Sequence, residues 1–200
     1  MVRRVRRREP AALQMTGAMS IDWRAARRRR RKDATMKEKK STRVKWPTRN
    51  HPAHHPPVES FNRSIIVLLS VCSKGRRPIF AHDDVHQVLL FAWTKAIRWR
   101  VGRYVVMPDH LHIFCAPACE PREQLRTWMR YWKALASRKW PRPNEHPIWQ
   151  QDGWDTQIRH GESYGEKWEY VRHNPVRMGL VSAAEDWPYQ GELNVLEWHD

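Results

Sequence analysis

His110 and His112 stand two positions apart in an otherwise apolar run, Tyr104-Val-Val-Met-Pro-Asp-His-Leu-His-Ile-Phe-Cys115. In a strand, residues i and i+2 project to the same face. Two imidazoles side by side on one face supply half of a metal site, because neutral imidazole is a ready ligand. The competing reading is a pair of hydrogen-bonded core or surface histidines, and a bare His-x-His does not choose between the two. A second pair lies further on. Tyr170 and Asn174 are four apart near a helix end, and residues at i and i+4 stack about 6 Å apart along a helix. A phenol oxygen and an amide oxygen can then face one point. Of the tyrosines at 104, 131, 164, 170 and 189, only Tyr170 is followed four residues later by a side chain able to ligate a metal. Pro175 disfavours helical geometry at Asn174, and Tyr170 alone also reads as an ordinary surface tyrosine.

Basic residues form a second pattern. Arg122, Arg126, Arg130 and Lys133 are spaced 4, 4 and 3 opposite an apolar stripe, and Arg138, Lys139 and Arg142 extend the row. Such a ridge fits a phosphate backbone; it also fits a solvated helix face. The chain has 12 tryptophans. Trp128 and Trp132 fall on the apolar stripe and are expected in the core. Trp140, Trp149 and Trp154 fall in loop-like sequence, where an indole can stack on an unpaired base.

The elements that must position these residues follow from periodicity. Ile65 to Val71 is short, apolar and β-branched, a buried strand. Asp84–Ile97 carries apolar residues at 85, 88, 89, 92, 93 and 96, a helical stripe. Trp99 to Met107 reads as a strand with a bulge at Gly102, Pro108-Asp109 as a turn, and Leu111–Cys115 as the returning strand. Pro121–Lys139 reads as a helix and Trp149 to Arg159 as a further strand. Ser163 and Glu166 have capping-box spacing and open a helix through about His173, ended by Pro175 and Gly179. The order β-α-β-β-α-β predicts an α+β, ferredoxin-like split sandwich on an antiparallel sheet. Cys115, at odd spacing from His112, is expected on the opposite face; Cys119 has no assignment.

The 37 Lys+Arg and 21 Asp+Glu give a net charge of +16, but residues 1–50 carry +14 of it and the rest +2. Residues 1–57 are expected to be a basic disordered tail with a Pro/His linker. The tail reads either as a polyanion-gripping arm or as an extension from an upstream start codon. Residues 58–200 are expected to form the folded domain. No apolar run reaches about 18 residues, so no membrane helix is expected. Three cysteines (Cys72, Cys115, Cys119) without framework spacing fit a disulfide-free cytosolic protein.

His110-Leu-His112 resembles the His-hydrophobic-His motif of HUH single-strand nucleases. Together with Tyr170-Val-Arg-His-Asn-Pro-Val-Arg-Met-Gly-Leu-Val181 and Trp187-Pro-Tyr-Gln-Gly191, it makes residues 58 to 196 resemble the REP-associated tyrosine transposases, of the wider IS200-like group. The resemblance implies a metal-dependent endonuclease and strand transferase acting on single-stranded DNA beside hairpins. It places the nucleophile at Tyr170 and the metal ligands at His110, His112 and Asn174. Mg²⁺ or Mn²⁺ is the expected cofactor, with zinc the second choice because Cys115 and Cys119 lie nearby. The expected DNA contacts are Arg122, Arg126, Arg130, Lys133, Arg138 and Lys139, joined by Arg172 and Arg177 beside the tyrosine. Asp109 is expected at most to support a histidine. The partner is hairpin DNA, the assembly a monomer or homodimer, and the location the cytoplasm at the nucleoid. The alternatives are a catalytically inactive hairpin-binding protein and a zinc-stabilised interaction protein; the Cys/His spacing fits no closed four-ligand site.

Overall fold

The computed structural model describes residues 65–119, 122–158 and 164–197. The basic tail, the linker, Pro121 and the capping residue Ser163 lie outside the described residues.

The apolar run at Ile65 becomes β1 (Val67–Ser73). The stripe that follows becomes α1 (Asp83–Lys95). β2 (Trp99–Val106) and β3 (His110–Pro117) form the hairpin about Pro108-Asp109. The second amphipathic segment becomes α2 (Leu125–Arg138), and β4 (Trp149–Gln157) follows it. Helices α3 (Tyr164–Arg172) and α4 (Asn174–Arg177) come next, then a short β5 (Gln190–Glu192) that the sequence did not announce.

The strands lie in the order β4-β1-β3-β2-β5, each neighbouring pair antiparallel. The first four are the ferredoxin-like βαββαβ arrangement. The bulge expected at Gly102 is present, since the β2–β3 register shifts between Val101 and Tyr104. Helix α2 starts at Leu125, later than expected. Arg122–Gln124 are not helical, Gln124 has an extended ψ of 133°, and the Trp99 indole N–H donates to the Glu123 carbonyl at 2.9 Å. That bond holds the segment extended across the end of β2.

Period-two alternation sorts side chains onto two sheet faces. On one face Leu69, Val71, Leu111, Ile113 and Cys115 pack under α1 and α2 with Leu89, Trp93, Trp128 and Trp132. On the other, Ile66, Val105, Phe114 and Ile158 pack with Tyr164 and Val171 of α3 and with Trp187. Cys115 is thus where alternation put it. Among the described residues no helix is long and apolar enough to cross a membrane.

Helix α2 lies close over β4 because position 153 has no side chain. A Cβ there would meet Met129 Sδ at 2.9 Å and the Ser70 carbonyl oxygen at 3.0 Å. Overpacking of that kind costs about 1–3 kcal/mol. Gly153→Ala should therefore lower the thermal midpoint measurably, by circular dichroism, while Gly75→Ala, with open space around it, is resisted only by its positive φ.

Candidate active site

The β2–β3 turn is pinned before the first histidine begins. Ser73 donates from its backbone N–H to the Asp109 carbonyl at 3.0 Å, and its hydroxyl reaches the same oxygen at 3.2 Å. Asp109 is 6% exposed. Its Oδ1 accepts from His110 Nδ1 at 2.7 Å, and its Oδ2 meets Arg76 Nε at 3.2 Å. One position along the same face, His112 Nδ1 bonds Ser70 Oγ at 2.7 Å, Ser70 being its direct partner across β1. The rings stand edge to face, centroids 4.9 Å apart and planes at 88°. His110 Nδ1–H donates to a carboxylate, which leaves that ring's lone pair on Nε2; His112 takes the same form when its Nδ1–H donates to the Ser70 hydroxyl, the arrangement that orients metal-ligating histidines.

Burial pushes the His112 imidazole down to about 3, and the neighbouring His110 and the charges of Arg76 and Arg177 act in the same direction. His112 is therefore neutral at physiological pH, in the form that can ligate. Among the described residues no three His, Cys, Asp or Glu side chains are grouped to hold an ion, so a cation on this pair would need donors of another kind. Cys115 is buried in the opposite core, its thiol pushed up by desolvation. Cys119 hydrogen-bonds the Arg98 carbonyl instead. Neither cysteine completes a zinc site with the pair.

Helix α3 is seated on the same sheet face. Phe114, two residues beyond His112, takes Tyr164 at 5.0 Å and Trp168 at 6.2 Å in edge-on contacts, and Val171 is buried further along the helix. Tyr170 lies off this stripe and is 65% exposed. The helix breaks at His173, and Pro175, which has no N–H, opens α4 instead of continuing α3. Tyr170 and Asn174 therefore sit on either side of a kink, not in one unbroken helix. Arg177 spans that kink. Its Nη2 donates to the Tyr170 carbonyl at 2.5 Å and to the Asn174 amide oxygen, and its guanidinium lies 4.1 Å over the Tyr170 ring. Its charge is also felt by His112, so the tyrosine segment and the histidine face share one electrostatic environment.

The sequence missed two groups here. Arg76 sits in the turn Lys74-Gly-Arg-Arg-Pro78 that follows β1. It occupies left-handed backbone at φ 55°, after Gly75 at 66°, a conformation costly for a residue with a Cβ. From there its side chain meets Asp109 and donates to Cys72 Sγ at 2.7 Å. Ser70 was the other. A lone hydroxyl inside Ile-Val-Leu-Leu-Ser-Val was the available signal.

The basic ridge needs correction. Lys133 is 6% exposed, and its ammonium donates to the Gln150 carbonyl at 3.1 Å; β4 covers that flank of α2. Arg122 precedes the helix and is half-buried. Arg126 and Arg130 are exposed, Arg126 pairing with Asp152 at 3.2 Å. Arg138 and Lys139 are exposed at the helix end, Lys139 over Phe91 at 4.7 Å. All of these lie with α2, across the sheet from the histidines. Arg172 is taken up by Glu169 and Glu185 at 3.5 and 3.6 Å. Two of the three loop-like tryptophans are also corrected. Trp140 is buried, and Trp149 packs on Phe80 and Trp132 at 5.1 and 5.3 Å. Trp154 lies in β4 and is exposed.

No protein-family model matches the chain. A REP-associated tyrosine transposase of Escherichia coli K12 is 29% identical over 108 residues, 52% of this chain and 62% of that protein. A Haemophilus influenzae protein named for the same family is 28% identical over 96 residues, 42% of this chain and 53% of that protein. The match thus spans less than two thirds of either relative. Among solved structures, a REP-associated tyrosine transposase bound to a REP hairpin matches with a TM-score of 0.55 and 22% identity, over 68% of this chain and 81% of that one. That likeness shows the fold. The resemblance to REP-associated tyrosine transposases read in the sequence is borne out.

Two measurements check this geometry. Ser70→Ala removes the anchor of His112 and, on the metal-site reading proposed below, should weaken Mn²⁺ binding by roughly 10- to 100-fold in calorimetric titration; an unchanged isotherm would detach Ser70 from the site. Lys133 tests the correction to the ridge. Burial lowers its ammonium from 10.5 to about 8, against a smaller opposing effect of Asp152. Between those values the unfolded chain holds a proton that the folded chain has released, so Lys133 favours folding increasingly as pH rises through that window. Urea denaturation at neutral pH and near pH 10 should show that rise in the wild type and not in Lys133→Met.

Proposed function

We propose that the chain nicks and rejoins single-stranded DNA beside a hairpin, with Tyr170 as nucleophile. The observation that carries this reading is the pair of Nδ1-anchored imidazoles on the sheet face where the Tyr170 helix is seated. The names of the relatives support the same class of activity, and the structural neighbour's hairpin supports the class of substrate.

The Nε2 atoms of His110 and His112 and the amide oxygen of Asn174 would hold a divalent cation, Mg²⁺ or Mn²⁺. The donor set fits: both rings are fixed, His112 is neutral, and the amide oxygen keeps a second lone pair beside its bond from Arg177. When bound, such a cation neutralises a non-bridging phosphate oxygen and orients the phosphate.

The chain's own groups carry the substitution. The Tyr170 oxygen attacks phosphorus in line. The new bond joins phosphorus to the phenol oxygen, and the bond to the 3′ oxygen of the preceding nucleotide breaks. The phenolic proton passes to solvent, and the departing oxygen takes one to become a 3′-hydroxyl. The product is a 5′-phosphotyrosine, and attack by a 3′-hydroxyl reverses the step and joins strands. Arg177 holds the ring and backs the phosphate with positive charge, and Arg76 supplies a second guanidinium from the turn after β1.

Labelled single-stranded hairpins with Mn²⁺ should yield a protein–oligonucleotide adduct on a denaturing gel. Tyr170→Phe should abolish the adduct and leave the binding constant within about twofold, since a hydroxyl that acts only in the reaction contributes little to ground-state binding. An adduct formed by Tyr170→Phe would overturn the assignment of the nucleophile, and wild-type binding without any adduct would leave a hairpin-binding protein.

A further inference from the structure

We propose that Trp154 is the stacking platform for an unpaired base of the strand whose phosphate reaches His110 and His112. The inference rests on the single-strand reading above and adds to it a separate binding position.

Trp154 is paired in register with Ser70 of β1, and Ser70 with His112 of β3. Trp154, Ser70 and His112 therefore form one row across three strands, on one face of the sheet. Two strand spacings put the indole about 10 Å from His112 along the row, a distance bridged by a nucleotide or two. Helix α3 covers the Phe114 side of this face and leaves the β4 side open.

Trp154 is 42% exposed. Among the described residues no ring or cation packs on it, whereas Trp99, Trp128, Trp132 and Trp149 are all engaged in ring contacts. Its neighbours do not form an apolar patch. Gln150, Gln151 and Thr156 belong to the same strand, and all three are polar, so the surface lacks the contiguous apolar core a stable protein interface uses. A single flat ring among polar groups, with Arg76 half-exposed beside the histidines, suits a base whose phosphate reaches toward them. Stacking of this kind accepts every base, so Trp154 would set how the strand is seated and leave sequence choice to other contacts.

The test uses the full chain as Tyr170→Phe, to block turnover. Fluorescence anisotropy at low salt compares a DNA hairpin carrying an unpaired thymidine tail with the same hairpin lacking it. Adding Trp154→Ala should weaken binding of the tailed hairpin by roughly 5- to 150-fold, the range that stacking of one base supplies. It should leave the tailless hairpin unchanged. Trp154→Phe should recover most of the loss. Abasic substitution along the tail should find one position whose loss in the parent protein is not added to that of Trp154→Ala. Equal binding of the tailed hairpin by the parent protein and the Trp154→Ala variant, with matching thermal melts, overturns the inference alone. So does an equal loss on both hairpins, or a self-association in sedimentation that Trp154→Ala removes without affecting DNA. Failure of the parent protein to prefer the tail overturns the single-strand reading and this inference together.

Discussion

The two-residue period of β3 is the constraint on which the site depends. His110, His112 and Phe114 must share a face, and Leu111, Ile113 and Cys115 must take the other. The first set carries the two anchored imidazoles and the seat for α3; the second lies under α1 and α2. A slip of one residue would drive both imidazoles into the tryptophan-rich core and leave Leu111 and Ile113 facing the tyrosine segment. The slip is resisted from both sides. The apolar core holds Leu111, Ile113 and Cys115, and the hydrogen bonds from Ser70 and Asp109 hold the two histidines. Core packing and site geometry are thus one choice of register, made once.

Charge at the site is local. Most of the net charge of the chain belongs to residues 1–50, while the histidine face is set by a few groups from distant segments. Asp109 is buried yet paired twice, with His110 and with Arg76, which offsets the cost of holding a carboxylate out of water. Arg76 reaches it only because the chain turns through two left-handed residues after β1. Arg177 approaches from the other side, fixed on Tyr170 and Asn174. The two guanidiniums and the burial act together on His112, which makes a neutral imidazole and a positive surrounding compatible: the ring offers a lone pair while the space near it favours an anion.

Most of the architecture was legible, because periodicities of two and of about 3.6 residues are imposed by burial and burial dominates this core. The orientation of Cys115 followed from the same rule, and the bulge from a glycine inside a strand. Long-range geometry was not legible. Lys133 lies only about 20° from Arg126 on a helical wheel at 100° per residue, and nothing in the helix says that β4 will cover one flank and leave the other open. Trp140 and Trp149 read as loop residues because polar and proline-rich neighbours hid their packing against Phe80. Arg76 was invisible since its role comes from a backbone turn and from Asp109, a partner in the distant β2–β3 turn. Tyr170 and Asn174 were found by their spacing, but the kink at His173 that separates them is a property of Pro175 seen only as a disfavoured conformation.

Placing Arg126 and Arg130 with α2, behind the sheet, and the histidines in front of it limits what can touch both. The two faces meet at β4, the outermost strand of the sheet, where Arg126 already reaches Asp152. A polyanion in contact with both groups has to turn around a single strand, a few ångströms thick. Duplex DNA has a persistence length of about 150 base pairs and cannot make that turn without a large bending cost. An unpaired strand can make it with rotations of its own backbone. On the proposed reading a duplex stem would be confined to one face, and the strand reaching the imidazoles would be the unpaired one. A preference for single strands would then follow from where Arg126 and Arg130 sit relative to the sheet, before any base is read.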